Sequence, residues 1–307
     1  RGHVCRDGMK RPAPRSEPWY DADDAEGPSC RRCSAQKLRW PTRKGQVYCL
    51  DCWKDYGSEA ADAISLCDLE RSTTWRVFRT PPASGSLGRS YALQIEVTPE
   101  DSFDAARRLL REAADASGPQ ALPPIVLNMA NAEWVGGGFL TDASGQEEEL
   151  CRKSDLFPQL MRAYRAGGFP IPELGSIVLP DVLVLRSREG KAYKLLEEPF
   201  RVAIITAAAP LKPDTSTAEG LEAYIKLMSQ KVDALLAVVE HLGYAEVVLS
   251  AWGCGAFRNP PEEVARIFRA ALQGRFSGSF RKVLFAIFDR PDWRESNCSI
   301  FKRELCG

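Results

Sequence analysis

Residues 125–149 read IVLNMANAEWVGGGFLTDASGQEEE, and the order of these residues decides the fold. Ile125 to Ala130 is a short apolar run of the length of a buried strand. Gly136, Gly137 and Gly138 follow it, then seven residues, then Gln146, Glu147, Glu148 and Glu149. Consecutive glycines cost backbone entropy and suit a loop where a ligand approaches the main chain closely. The glutamates open a helix expected over about residues 145–166, broken near Pro158, where acidic side chains also compensate the helix dipole. Strand, glycine loop and helix in that order are one unit of a sheet whose strands alternate with helices.

The alternation continues outward from this unit. Tyr91 to Val97 reads as a strand, and residues 101–116 as a helix with Phe103, Ala106, Leu109, Leu110 and Ala113 on one face. Residues 177–185 and 202–207 are apolar strand candidates. From 218 to 242 a helical period joins Leu221, Tyr224, Met228, Val232, Leu235 and Val239. A strand over 247–250, a helix over 261–273 and a strand over 283–288 complete the pattern. The expected fold class is α/β: a mixed, largely parallel sheet between helices, with a small N-terminal zinc-finger module. Ligands in such sheets bind at the carboxyl ends of the strands.

The chain has 307 residues, 44% of them hydrophobic, with 41 basic and 41 acidic side chains. That balance opposes a general nucleic-acid or membrane-surface binder, and no apolar run reaches the roughly 20 residues that span a bilayer. No membrane partner is expected. The chain starts at Arg1 rather than Met, as a fragment or processed chain would. Its two histidines, His3 and His241, leave little room for His-based catalysis.

Four of the ten cysteines form two tight pairs, Cys30–Cys33 and Cys49–Cys52, fifteen residues apart. Two such pairs supply four thiolates and close a tetrahedron around structural Zn²⁺, with no position left open for catalysis. Residues 29–62 therefore read as a four-cysteine zinc finger, with Trp40, Tyr48 and Trp53 around the metal. Residues 1–28 read as a flexible segment. Arg31, Arg32, Lys37, Arg39, Arg43 and Lys44 make the finger basic, suited to nucleic acid or another polyanion, or to docking on a protein surface. The other cysteines are scattered, as free thiols are in a reducing, intracellular compartment, nuclear or cytoplasmic.

The glycine loop followed by Gln146, Glu147 and Glu148 resembles the signature of the poly(ADP-ribose) glycohydrolases. Two further blocks, Ile205 to Pro210 and Ser250 to Pro260, resemble segments of the microbial-type members. The resemblance covers roughly residues 65–307 and implies a macro-domain-like core, expected over 63–307, that binds ADP-ribose or poly(ADP-ribose) on modified proteins. It implies that Glu148 is the catalytic acid and that Glu147 positions the scissile ribose. It also makes Asn131 a ribose-contacting amide and Gly253, Cys254, Gly255, Ala256 and Phe257 the diphosphate loop, with Phe257 near the adenine or distal ribose. Asn128, Gln146 and the three glycines complete the expected substrate contacts. Glu133, Trp134 and Val135 depart from the approach many relatives use.

The implied reaction cleaves the O-glycosidic ribose–ribose bond through an oxocarbenium-like state, with a glutamate as acid and then base and no catalytic metal or organic cofactor. Burial under a bound ribose and repulsion from Glu147 would raise the acid's pKa against the helix dipole. Amides of Gly253, Cys254 and Gly255 could hold the diphosphate without a lysine. Three alternatives stand beside this reading. One is a reader that binds ADP-ribose without cutting it. Another is a hydrolase of mono-ADP-ribosyl groups on protein or nucleic acid. The third is a cysteine hydrolase built on Cys254, which sits between two glycines after a strand and needs a base.

Overall fold

In the computed structural model, residues 39–41, 47–49, 75–82, 90–117, 122–139, 143–188, 193–289 and 296–307 are described. Contacts divide the chain into residues 1–58 and 59–307. In the first unit, β1 (Arg39–Pro41) and β2 (Val47–Cys49) pair antiparallel, with Trp40 opposite Tyr48 and Arg39 opposite Cys49. Cys30, Cys33 and Cys52 of the expected finger, and the whole segment 1–28, lie outside the described residues.

The second unit runs β3 (Arg76–Phe78), β4 (Gln94–Thr98), α1 (Ser102–Ser117), β5 (Ile125–Met129), α2 (Gln146–Lys153) and α3 (Leu156–Arg165). It continues with β6 (Ser176–Arg186), β7 (Leu195–Ala207), α4 (Ala218–His241), β8 (Glu246–Leu249), α5 (Pro261–Gln273), β9 (Lys282–Ala286) and α6 (Asn297–Cys306). Its seven strands lie in the order β3-β6-β7-β5-β8-β9-β4. The five from β7 to β4 are parallel; β6 and β3 run antiparallel at one edge. The expected mixed, largely parallel sheet is therefore the one observed.

Both faces of the central strands are covered, which is why their sequences are continuous apolar runs. Ile125 and Leu127 of β5 share one cluster with Ile205, Val247, Phe285 and the inner faces of α4, α5 and α6. Val126, Ile204, Val248 and Leu284, one residue out of phase, are equally buried and face the other layer, where α1 packs against β5, β8 and β9.

Four elements differ from the sequence expectation. The single helix over 145–166 is two, and the break falls at Ser154 and Asp155, not at Pro158. Ser154 bridges to Val184, and Asp155 exchanges hydrogen bonds with Leu183, accepting from its N–H at 2.8 Å. Pro158 sits in the first turn of α3, where its missing N–H is not needed. β7 begins at Leu195, seven residues before the apolar run, because Glu197, Glu198 and Pro199 hide its first half. That half forms, with the end of β6, an arm folded over α1: Phe200 meets Phe103 edge-on, and Arg107 donates to the Glu198 carbonyl. β3 and α6 were not anticipated at all.

α1 and α2 are locked by a buried ion pair. Lys153, 1% exposed, reaches Asp101 Oδ2 at 2.6 Å, while Asp101 Oδ1 caps α1 by accepting from Phe103 N at 2.9 Å. Removing one partner of a buried pair leaves the other uncompensated, at a cost of about 3–5 kcal/mol. Lys153→Ala is expected to lower the unfolding free energy in urea by about 3 kcal/mol, with much of that recovered in Lys153→Met combined with Asp101→Asn. A loss under about 1 kcal/mol would show that the pair is structurally idle.

Candidate functional site

At the carboxyl end of β5 the chain turns through Asn131, whose Oδ1 accepts from Glu133 N at 2.9 Å and Trp134 N at 3.0 Å. This turn delivers Gly136 and Gly137 in left-handed backbone, φ +73° and +58°. The glycines meet the first turn of α2 and form with it a cradle of main-chain donors around two carboxylates. Glu148 accepts from Gly138 N at 2.8 Å and, through its other oxygen, from Gly145 N at 2.9 Å. Glu147 accepts from Asn131 N at 2.8 Å and also from Gly136 N. A Cβ on Gly137 would stand 2.5 Å from Glu148 Oε1 and 2.9 Å from Glu147 Oε2, so glycine is obligatory there for steric and conformational reasons alike.

The three consecutive glutamates have three different surroundings. Glu149 points to Arg152 at 3.3 Å and accepts from Tyr193 Oη at 2.5 Å. Arg152 in turn donates to the Ala143 carbonyl at 2.6 Å and lies over the Phe139 ring, holding the loop that precedes α2. Glu148 is half-buried. Glu147 is 4% exposed, and its burial pushes its carboxyl up to about 8; repulsion from Glu148 adds to this, and its N–H donors act against it.

The loop after β8 supplies a second cluster of main-chain donors. Gly253 is left-handed at φ +78°, and Cys254 N is committed to Ala251 O at 3.0 Å. The N–H groups of Gly255, Ala256 and Phe257 bond to no described residue. Three consecutive free amides in the loop that leads towards α5 suit an anion. All three belong to the expected loop of Gly253 to Phe257; of the amides singled out from the sequence, Gly255 is free and Cys254 is not. A cleft of about 710 Å³ lies beside the two clusters, touching Asn131 and Trp134 on one side and Phe257, Pro210 and Tyr224 on the other; Glu148, Gly255 and Ala256 are not among its lining residues.

Several expected contacts sit elsewhere. Asn128, fully buried, lies beneath the cradle and donates to Glu147 Oε1 at 3.4 Å and Thr206 Oγ1 at 3.3 Å, so it supports a carboxylate rather than facing the cleft. Gln146 spends its amide on Met129 N at 2.9 Å, Leu127 O at 2.6 Å and Ser102 Oγ at 3.2 Å, which pins α2 to β5. Asn131 does line the cleft, and its Nδ2 bonds to no described residue. Burial raises the Cys254 thiol far above its ordinary value, and His241 packs near Phe78 at the other end of α4. Among the described residues the cysteine-nucleophile reading therefore finds neither an activated thiol nor a histidine beside it. Lys231, buried in α4 and ion-paired with Glu173 at 2.7 Å, was not anticipated as a cleft residue, since a lone lysine in an apolar stripe gives no local signal. Among the described residues no cluster of side chains could hold a metal ion. No helix among them is long and apolar enough to cross a membrane.

The family described as microbial-type PARG, catalytic domain, matches residues 56–169, which include the whole cradle. The fold is similar to the poly(ADP-ribose) glycohydrolase of Deinococcus radiodurans in complex with ADP-ribose, at 32% identity and a TM-score of 0.65. That similarity covers 79% of this chain and 98% of that one. The Thermomonospora curvata poly(ADP-ribose) glycohydrolase is similar at 31% identity and a TM-score of 0.60, over 87% of this chain and 93% of the other. Its form bound to the inhibitor ADP-HPD is similar at 30% identity and a TM-score of 0.59, over 86% and 92%. No curated protein sequence matches the chain.

The burial of Glu147 has a signature in stability. An unfolded glutamate ionises near 4.5, so between there and about pH 8 the folded chain holds a proton that the unfolded chain has lost. Stability therefore falls as pH rises through that window. Glu147→Gln removes the titration and is expected to flatten this slope, a difference of roughly 2–4 kcal/mol across the window in paired denaturant titrations. Parallel slopes for the two proteins would mean that Glu147 is ionised throughout.

Proposed function

The chain belongs to the poly(ADP-ribose) glycohydrolases and hydrolyses poly(ADP-ribose) to ADP-ribose; we propose that Glu148 is its general acid and base. One observation carries the assignment. Glu148 is held at both oxygens by main-chain N–H groups of Gly138 and Gly145, and the turn that leads into this loop, Asn131 to Trp134, lines a cleft whose other side includes Phe257, the last of three consecutive free amides.

The chemistry follows from that placement. An ADP-ribosyl unit laid with its diphosphate on the amides of Gly255, Ala256 and Phe257 brings its distal ribose to the cradle. Glu148 gives its proton to the departing ribose oxygen as the carbon–oxygen bond breaks, leaving an oxocarbenium-like ribose. Water then adds to the anomeric carbon and returns a proton to the Glu148 carboxylate, which regenerates the acid. Glu147 contributes by holding Asn131 and Gly136 in place and by keeping a second negative charge away from the reacting centre. Asn131 Nδ2 is the free donor for a ribose hydroxyl. Phe257 flanks the cleft beyond the diphosphate, and the same geometry accepts a terminal unit of a polymer on a modified protein.

The paired cysteines Cys30, Cys33, Cys49 and Cys52 are proposed to bind structural Zn²⁺. The support is the spacing, two cysteine pairs fifteen residues apart that supply four thiolates. The basic residues around them suit a polyanionic partner.

Release of ADP-ribose from poly(ADP-ribosyl)ated protein tests the catalytic assignment. Glu148→Gln is expected to lose at least about a thousandfold in kcat while binding ADP-ribose, by calorimetry, within about threefold of wild type. Loss of binding together with turnover would make Glu148 a ligand-binding residue, and ADP-ribose binding without release by wild type would make the protein a reader. For the finger, metal analysis should find about one zinc per wild-type chain and none in Cys49→Ser. A full complement in that variant rules the site out.

A further inference from the structure

Asn259 lies outside the cradle and outside the cleft lining, yet its side chain joins the two loops that form the diphosphate wall. It is 2% exposed. Its Nδ2 lies 2.8 Å from Pro210 O, in the loop after β7, and 3.1 Å and 3.4 Å from Gly253 O and Phe257 O, in the loop after β8. Its own N–H donates to Gly253 O at 3.0 Å, and Lys212 N donates to Phe257 O at 2.8 Å. The two loops are in close contact here, since a Cβ on Gly253 would stand 2.7 Å from Ala209 Cβ. Between Phe257 and Asn259 the chain passes through Arg258 at φ +57°, a left-handed backbone that an arginine adopts only when its surroundings impose it.

We infer that Asn259 is a positioning residue that holds the amides of Gly255, Ala256 and Phe257 in place for the diphosphate. The inference rests on the reading of this cleft as an ADP-ribose site. Its physical basis is a shared donor. Asn259 Nδ2 is the one donor to Pro210 O among the described residues, and the same amide reaches Gly253 O and Phe257 O at the two ends of the segment that carries the free amides. Gly253 O and Phe257 O each keep a main-chain donor, from Asn259 N and Lys212 N, whereas Pro210 O loses its donor with the side chain, and a carbonyl left without one is costly. Without the Asn259 side chain the loop after β8 is no longer held against Pro210, and the three amides lose their common orientation toward a diphosphate. Asn259 touches neither the cradle nor Glu148, so its removal acts on binding and leaves the chemical step alone.

Two variants separate this role from a general contribution to the fold. Asn259→Ala is expected to weaken ADP-ribose binding by about 10–100-fold and to raise KM for the polymer in proportion, with kcat within about threefold of wild type. Asn259→Asp is nearly isosteric but faces three carbonyls with a carboxylate, so its binding is expected to be at least as poor at pH 8. At pH 5.5 the protonated carboxyl regains one donor, and affinity relative to wild type should recover about tenfold. Unchanged ADP-ribose affinity in both variants, or a fall in kcat at constant KM, overturns the inference. So does loss of cooperative melting at every pH, which would assign Asn259 to the fold as a whole. Failure of wild type to bind ADP-ribose would remove the reading beneath it and is distinguishable from each of these results.

Discussion

The carboxylates at the start of α2 are held by the main-chain N–H groups of the loop they serve. Glu147 binds Asn131 and Gly136; Glu148 binds Gly138 and Gly145. The loop's own turns bond Gly137 N to Trp134 O and Phe139 N to Gly136 O, and the two carboxylates take up four further main-chain donors that lie outside any regular element. The helix start, the glycine loop and the end of β5 are thus one object, and Gln146 fastens it to the strand. Substituting any part displaces the others. Gly137 is the sharpest instance, since its missing side chain is the space occupied by the two carboxylates.

This arrangement divides the electrostatic labour. Adjacent glutamates repel, and the repulsion is tolerated because their solvation differs: Glu147 is buried and holds its proton to higher pH, while Glu148 is half-buried. Two carboxyl groups in different surroundings can take different parts in acid and base work. The amides after β8 offer dipoles rather than charge to an anion, and Lys231 of the cleft is paired with Glu173. An overall balance of acidic and basic residues is consistent with a protein that binds a polyanionic substrate through main-chain dipoles.

The fold was legible wherever an element is buried on both sides or carries a clean helical stripe. β5, β8, α4 and α5 lie where periodicity put them, because continuous apolar runs and 3.6-residue spacing are direct records of burial. The first half of β7 was illegible because its partners are the arm and α1, and an exposed arm keeps charged residues such as Glu197 and Glu198. The helix break at Ser154 was equally hidden, since its cause is the edge of β6, some thirty residues downstream.

The sequence by itself determined the order of strand, glycine loop and acidic helix, and with it the paired carboxylates at the start of α2 and their place at the carboxyl end of β5. Those features are local: spacing and residue type along one segment are enough to specify them. Only the tertiary structure decided which polar side chains face the cleft. Asn128 and Gln146 carry the same amide chemistry as Asn131, yet packing turns both into supports for the cradle. It also decided which loop amides remain free, and that Asn259 gathers carbonyls from two loops whose residues are about fifty positions apart in the chain. A side chain's role here depends on which donors and acceptors its neighbours have already used, and those neighbours are brought together by the sheet.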